Sequence, residues 1–236
     1  MQSTRRTAVA AGMLFITATA TSLLCTALTH ATTNAPHYLS QAAAHADRLI
    51  AGALLLVAAA LSVAAIPAVL FPVLRRCHEG IALSYLGVRV LEAVTQIVYA
   101  IAMLLLVTLG RAAVGRGDAA SSGFRASGAL LQGALHWAFL LDPTVFGVGA
   151  LMFYVLLYRA RLVPRWLSGW GFVGGALVLA YGLAAMFGRG SMLWALPIGV
   201  QEMVLAGWLI AKGFAQPGTV SKSLSGGRVA TVGQLG

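Results

Sequence analysis

Charged side chains are scarce in this chain of 236 residues: only 9% are Asp, Glu, Lys or Arg, against roughly 25% in an ordinary soluble domain. Apolar side chains make up 59% of the chain, and they arrive in runs too long for buried core helices. These two features exclude a water-soluble globular fold. The sequence therefore predicts an all-α fold, a polytopic membrane helical bundle whose surroundings are the lipid bilayer.

The short motifs of familiar enzymes and metal sites are also missing. The chain has no Gly-x-Ser-x-Gly elbow, no Walker loop, and no His-x-x-x-His or Cys-x-x-Cys spacing. We therefore predict no cofactor and no metal ion. Many membrane enzymes lack compact motifs, so the enzyme class stays open but is not favoured.

Acidic residues are few, and the 16 Lys and Arg residues against 6 Asp and Glu give a net charge of +10. The cations lie in short clusters at the ends of apolar runs. They form no long basic face with interleaved aromatic side chains, which a nucleic-acid surface needs. We therefore predict no nucleic-acid partner.

Six uncharged or nearly uncharged stretches are long enough to cross a hydrocarbon core, which takes about 20 helical residues. The first is longer than the 7 to 15 apolar residues of a typical signal peptide, so a retained anchor is favoured over a cleaved segment. We expect one transmembrane domain over residues 1–214 and a disordered cytoplasmic tail over 215–236. The predicted spans are 7–28, 49–74, 81–109, 127–158, 166–187 and 192–210.

The orientation of the bundle follows from the Lys and Arg residues in the short connections, which favour the cytoplasmic side. The side of the N-terminus carries the larger number, which predicts that both termini are cytoplasmic. That side holds Arg5, Arg6, Arg75, Arg76, Arg159, Arg161, Arg165, Lys212, Lys222 and Arg228; the other side holds Arg48, Arg111, Arg116, Arg125 and Arg189.

Ionisable residues at membrane depth are the most informative ones, because each costs about 2.5 to 3.5 kcal/mol in insertion experiments unless it is paired. Arg89 and Glu92 lie in the third predicted span, three residues apart, and are therefore neighbours on one helix face. Gln96 continues the same stripe. We predict an ion pair between Arg89 and Glu92, and the stripe is either structural glue for the bundle or the wall of a polar cavity.

Two further carboxyls, Asp142 and Glu202, have no basic partner in their own spans. If they converge on Arg89 and Glu92, three acids face one base, and the cluster must bind a proton, a cation or protonated His136. Asp142 precedes Pro143, so the alternative role for it is to satisfy backbone groups at a helix kink. His136 is either a packing residue or a member of the site. The candidate polar cluster is Arg89, Glu92, Gln96, His136, Asp142 and Glu202.

Several segments together resemble an integral-membrane family of bacteria, domain of unknown function 4386. The most specific are the Arg-x-x-Glu at Arg89 and Glu92 and the Leu-x-Pro-Arg-Trp-Leu over residues 162–167. Other matching segments are 70–80, 136–141 and 195–203, and the resemblance covers about residues 7–214. It implies a multi-pass protein of the bacterial cytoplasmic (inner) membrane and no established activity.

Three functions from different classes remain in competition. The first is a transport or ion-handling protein whose polar cluster binds a small molecule or ion. The second is a structural or signalling bundle that binds a partner protein. The third is a membrane-embedded enzyme that acts on an apolar or lipid substrate, with one of the buried carboxyls or His136 as its acid or base. Water reaching the carboxyls would favour the first or third function, and a lateral opening to lipid would favour the third. The oligomeric state stays open.

Overall fold

The computed structural model describes residues 2–117 and 121–215 of the chain, and within these ranges it contains helices and no strands. This confirms the predicted all-α bundle. A short 3-10 turn over Met192–Ala195 precedes the last helix. The helices are α1 (Gln2–Thr33), α2 (Tyr38–Ala44), α3 (Ala46–Gly115), α4 (Ser122–Ala160), α5 (Arg165–Met186) and α6 (Leu196–Ala211).

Helix α3 is a hairpin of two arms rather than one rod. A straight helix of its 70 residues would be about 105 Å long, several times the membrane thickness. The backbone breaks at His78, whose φ of −164° and ψ of 103° are not helical. The His78 Nδ1 atom accepts a hydrogen bond from the Ile81 N–H at 3.2 Å, which caps the second arm. A Cβ atom on Gly52 would lie 3.6 Å from the Met103 sulfur, so the two arms pack side by side and antiparallel.

The chain enters and leaves the bundle at the same face. The Arg5 guanidinium donates hydrogen bonds to the carbonyls of Ile210 at 2.6 Å and Ala211 at 3.2 Å, which joins the start of α1 to the end of α6. Within the described ranges, five helices are long and apolar enough to cross a membrane, and α3 can cross twice because of its hairpin. An even number of crossings returns the chain to its starting face. The fold therefore agrees with the six predicted spans.

The helices extend past the predicted spans where the chain leaves the hydrocarbon. Helix α1 reaches Thr33 rather than residue 28, and α4 starts at Ser122 rather than 127. Hydropathy marks only the lipid-embedded part of a helix, whereas backbone hydrogen bonding continues into the polar interface. The loop predicted after the first span also contains α2. Apart from Ala215, the predicted tail lies outside the described residues.

The exposure pattern is that of a membrane protein. Leu61 and Leu130 are 67% and 77% exposed, whereas Arg89 and Glu92 are each 3% exposed. Such an outer surface suits lipid and would be unfavourable in water. The bundle therefore has an apolar outer surface and polar groups in its interior.

Helices α4 and α5 pack closely because glycines line their interface. A Cβ atom on Gly182 would lie 2.8 Å from the Thr144 backbone nitrogen, and one on Gly175 would lie 3.1 Å from the Ala150 Cβ. Gly171 and Gly175 form the Gly-x-x-x-Gly pattern that favours such close approach. This interface fixes the part of α4 that carries Asp142.

Candidate functional site

The second arm of α3 carries a polar stripe on its interior face. Arg89, Glu92 and Gln96 are all buried there, at 3%, 3% and 8% exposure. The Arg89 Nη1 atom lies 2.9 Å from Glu92 Oε2, which is the ion pair that the three-residue spacing predicted. A hydrogen-bonded pair of this kind lowers the cost of burying both charges.

Arg89 has further neighbours on other helices. Its guanidinium carbon lies 5.5 Å from the centre of the Phe146 ring, a cation–π distance. It also interacts electrostatically with Asp142 and Glu202. Its Nε atom is buried and has no hydrogen-bond partner among the described residues. The guanidinium is thus ion-paired with Glu92 and interacts electrostatically with two further carboxyls on other helices.

Asp142 is held by the second arm of α3 rather than by its own helix. Its Oδ1 atom lies 2.9 Å from the Thr95 hydroxyl oxygen. That hydroxyl also lies 2.7 Å from the Glu92 carbonyl oxygen. Because a hydroxyl has one proton, it donates to either Asp142 or Glu92 at a given moment. The Gln96 amide also interacts favourably with the same carboxyl. This arrangement differs from the alternative in which Asp142 satisfies backbone groups next to Pro143.

Glu202 lies on the α6 side of the polar stripe. It is partly buried and interacts electrostatically with Arg89 and Glu92. Its neighbour Gln201 is fully buried; it accepts a hydrogen bond from the Tyr154 hydroxyl and donates one to the Leu167 carbonyl at 3.0 Å. These contacts fix the turn of α6 that carries Glu202.

A cavity of about 720 Å³ lies between α1, α3 and α4, and we call it the α1–α4 cavity. Gln96 and Asp142 are at its inner end, whereas Asn34 and His30 lie near the face opposite the termini. The cavity is lined by Ser22, Cys25, Thr26, Thr29, His30, Thr33, Asn34, Leu56, Thr95, Gln96, Tyr99, Gln132, Gly133, Leu135, His136, Ala138, Phe139, Leu140, Asp142 and Met192. The cavity is therefore lined by both polar side chains, with hydroxyl, amide and imidazole groups, and apolar side chains.

The cavity exists because α1 and α4 each pack along α3 but not along one another in the described part of the chain. One hydrogen bond bridges them, from the Gln132 Nε2 atom to the Thr33 carbonyl at 2.8 Å. It lies at the end of α1. Nearer the middle of the membrane, the cavity wall includes Phe139, whose side chain is also exposed at the outer surface of the bundle.

The six residues of the predicted cluster fall into three places. Gln96, His136 and Asp142 line the cavity. Arg89 and Glu92 form a buried ion pair next to its inner end. Glu202 lies on α6, on the other side of that pair. Among the described residues, no three His, Cys, Asp or Glu side chains are placed to hold a metal ion.

Sequence reasoning missed Thr95 and the polar wall that α1 contributes. Ser22, Thr26, Thr29 and Thr33 recur every three or four residues, which is one helix face. That periodicity was a usable signal. Thr95 lies three residues after Glu92, but nothing in the sequence indicates that its partner is Asp142.

The family described as Domain of unknown function (DUF4386) matches residues 10–213 of the chain. No curated protein and no solved structure matches it.

Proposed function

The chain belongs to the DUF4386 family, and we propose that it binds a small amphipathic ammonium compound in the α1–α4 cavity as a step in transporting it. The observation that carries this proposal is the pair of acceptors at the inner end of the cavity. Asp142 offers a carboxyl there. Gln96 lines the same end of the cavity, and its Oε1 atom is buried and has no hydrogen-bond partner among the described residues.

The donors and acceptors of the site determine the head group. A buried acceptor without a donor costs about 1–3 kcal/mol, so Gln96 favours a ligand that brings an N–H or O–H group. A primary ammonium carries three donors and a positive charge, and it satisfies Gln96 and Asp142 together. An anionic head group would instead meet a second negative charge.

The walls of the cavity suit an apolar tail. Tyr99 and Phe139 face each other with ring centroids 6.5 Å apart and planes inclined at 51°, and Leu56 and Leu140 add apolar surface. The volume of about 720 Å³ lies within the roughly 300–1,000 Å³ of small-molecule sites. Phe139 lines the cavity and is exposed at the outer surface, so such a compound would enter from lipid beside this side chain.

The charge balance supports handling of a cation or proton over a purely structural role. Three carboxyls face one guanidinium, so full ionisation leaves two uncompensated negative charges in the bundle. A bound ammonium offsets one of them, and a proton on Glu202 or Glu92 offsets the other. A bundle held together by polar contacts alone needs only the Arg89–Glu92 pair and no cavity.

The exposed Phe139 in the cavity wall favours one second candidate, a membrane-embedded enzyme that uses Asp142 as an acid or base on a lipid-soluble substrate. In that case the protein should convert a bound amphiphile to a product that mass spectrometry detects. Recovery of the amphiphile unchanged supports transport.

For the location of the protein, we propose the cytoplasmic membrane of a bacterium with both termini in the cytoplasm. The excess of Lys and Arg on the terminal face supports this orientation. The contact of Arg5 with the end of α6 puts both described ends on that face.

Binding tests the proposal with three probes of equal chain length: hexylamine, hexanol and hexanoate. Isothermal titration of the protein in nanodiscs should give saturable binding of hexylamine alone. Asp142→Asn should abolish this binding. Asp47→Asn is the matched control, because Asp47 is exposed and outside the cavity, and it should bind as the parent does. Equal binding of hexanol and hexylamine, or equal loss in both variants, would contradict the ammonium site.

Charge movement tests the transport step. On a solid-supported membrane, a hexylamine pulse should produce a transient current with the parent protein and none with Asp142→Asn. Glu202→Gln should keep the current but remove its dependence on pH. Saturable binding without any current would leave a receptor and overturn transport.

A further inference from the structure

A second cavity, of about 350 Å³, lies at the terminal face of the bundle, where α4 ends, α5 begins and α6 ends. We call it the basic cavity, because three of its lining side chains are cations. It is lined by Arg161, Arg165, Lys212, Pro164, Trp208 and Phe214, among others. The α1–α4 cavity shares none of these residues and opens elsewhere.

The basic cavity has a strong uncompensated positive charge. Arg161, Arg165 and Lys212 line it, and none of the described acidic side chains does. The ion pair found among the described residues joins Arg89 and Glu92 in the bundle interior, so these three cations are not neutralised by salt bridges in the described chain. Cations brought together in this way repel one another unless an anion lies between them.

The cations are held in place rather than dispersed in solvent. The Arg165 guanidinium lies 5.4 Å from the centre of the Tyr158 ring, and the Lys212 ammonium lies 4.3 Å from that of Trp208. Arg161 adopts a left-handed backbone conformation with φ of 51° as it ends α4. The Ala215 N–H bonds to the Leu162 carbonyl at 2.8 Å, which holds the last described residue against the cavity.

The start of α5 adds a positive pole at the basic cavity, whereas α4 and α6 end there with negative poles. The Arg161 N–H bonds to the Leu157 and Tyr158 carbonyls, which covers the pole of α4. Helix α5 begins at Arg165, and its N-cap residue Pro164 has no side chain that could cap the first N–H groups. The N-terminus of a helix carries about half a positive charge and favours anions. The opposite pole of α6 is covered, because Arg5 donates to its last carbonyls.

Two aromatic residues typical of the membrane interface follow the cavity-lining Arg165 along α5. Trp166 and Trp170 stack with ring centroids 6.5 Å apart in the first turns of α5. Tryptophan at such a position is typical of the membrane interface, at the level of the lipid head groups. This places the basic cavity at the level of lipid head groups.

From these contacts we propose that the basic cavity is a binding site for the phosphate head group of an anionic phospholipid. Arg161, Arg165 and Lys212 bind the phosphate oxygens, and Trp208 and Phe214 contact the glycerol and the upper acyl chain. Basic cavities between transmembrane helices are suited to such head groups, which supply the missing negative charge.

Native mass spectrometry of the full chain, released from nanodiscs of equal phosphatidylglycerol and phosphatidylcholine, tests this site. The parent protein should retain phosphatidylglycerol preferentially. Arg161→Gln with Arg165→Gln should weaken retention on the order of thirtyfold, since each cation contributes to the attraction. Arg75→Gln with Arg76→Gln is the matched control, with two exposed cations at the same face but outside the cavity, and should retain lipid as the parent does.

The other outcomes overturn the proposal. Equal loss in both double variants would mean general attraction to the charged face. Retention of inorganic phosphate without preference for phosphatidylglycerol would assign the cavity to a free anion. Lys212→Gln is a second test in case the double variant does not fold, because Lys212 is exposed and lies outside the core. This variant should retain less phosphatidylglycerol at an unchanged melting temperature. Unchanged retention in Lys212→Gln would also overturn the assignment.

Discussion

The ion pair between Arg89 and Glu92 leads to a prediction about stability that depends on which partner is removed. Glu92→Leu leaves a buried guanidinium that cannot lose its charge. Breaking a buried pair in this way costs about 3–5 kcal/mol. We expect about 3 kcal/mol, the lower end of that range, because Asp142 and Glu202 still attract Arg89.

Arg89→Leu should cost less, about 2 kcal/mol, because the carboxyls left behind can bind protons and become neutral. Its cost should also fall as the pH is lowered. The double variant replaces the pair by apolar side chains and should cost no more than Glu92→Leu alone. The coupling energy between the two positions is then on the order of 2 kcal/mol.

Reversible unfolding in mixed micelles measures these free energies. The chain contains a matched control at Arg76 and Glu79, which have the same spacing but are both exposed at the His78 hinge. Their coupling should stay below about 0.5 kcal/mol. Additive costs at Arg89 and Glu92, or equal coupling in both pairs, would refute the reasoning.

Three further predictions concern packing and topology. Gly182→Ala should destabilise the protein by about 1–3 kcal/mol in the same unfolding assay, because the added Cβ would lie 2.8 Å from the Thr144 backbone nitrogen. Gly169→Ala is the control and should leave the stability unchanged, because its Cβ would have open space around it. Gln132→Leu should widen the distance distribution between spin labels at the ends of α1 and α4, since it removes the bond to Thr33; Gln41→Leu, at an exposed position, should leave that distribution unchanged. In a background without native cysteines, Ser40→Cys should react with an impermeant thiol reagent from outside the cell and Ser221→Cys should not; equal labelling would contradict the proposed orientation.

Most of the fold was predictable, because hydropathy over about 20 residues dominates the placement of membrane helices. The six spans follow from it. The charged stretch over residues 75–79 indicated a link between the second and third spans. The sequence did not indicate that this link would be a helix break at one residue, His78. Helix α2 has seven residues and weak periodicity, so local sequence does not identify it.

The site was predictable only where one helix determines it. Arg89 and Glu92 pair because a spacing of three residues brings them together on any helix. The contact between Thr95 and Asp142 spans 47 residues of sequence and depends on how α3 and α4 pack. The gap between α1 and α4 is likewise a property of tertiary packing, and no single helix encodes it.

Photocrosslinking tests most directly whether the α1–α4 cavity binds an ammonium amphiphile. A primary alkylamine with a diazirine in its tail should label residues 22–33 of α1, 95–99 of α3 and 132–142 of α4. Excess hexylamine should suppress this labelling and excess hexanoate should not. Labelling confined to the lipid-exposed surface of α5, such as Phe172 and Val173, or labelling that hexylamine does not reduce, would contradict the account.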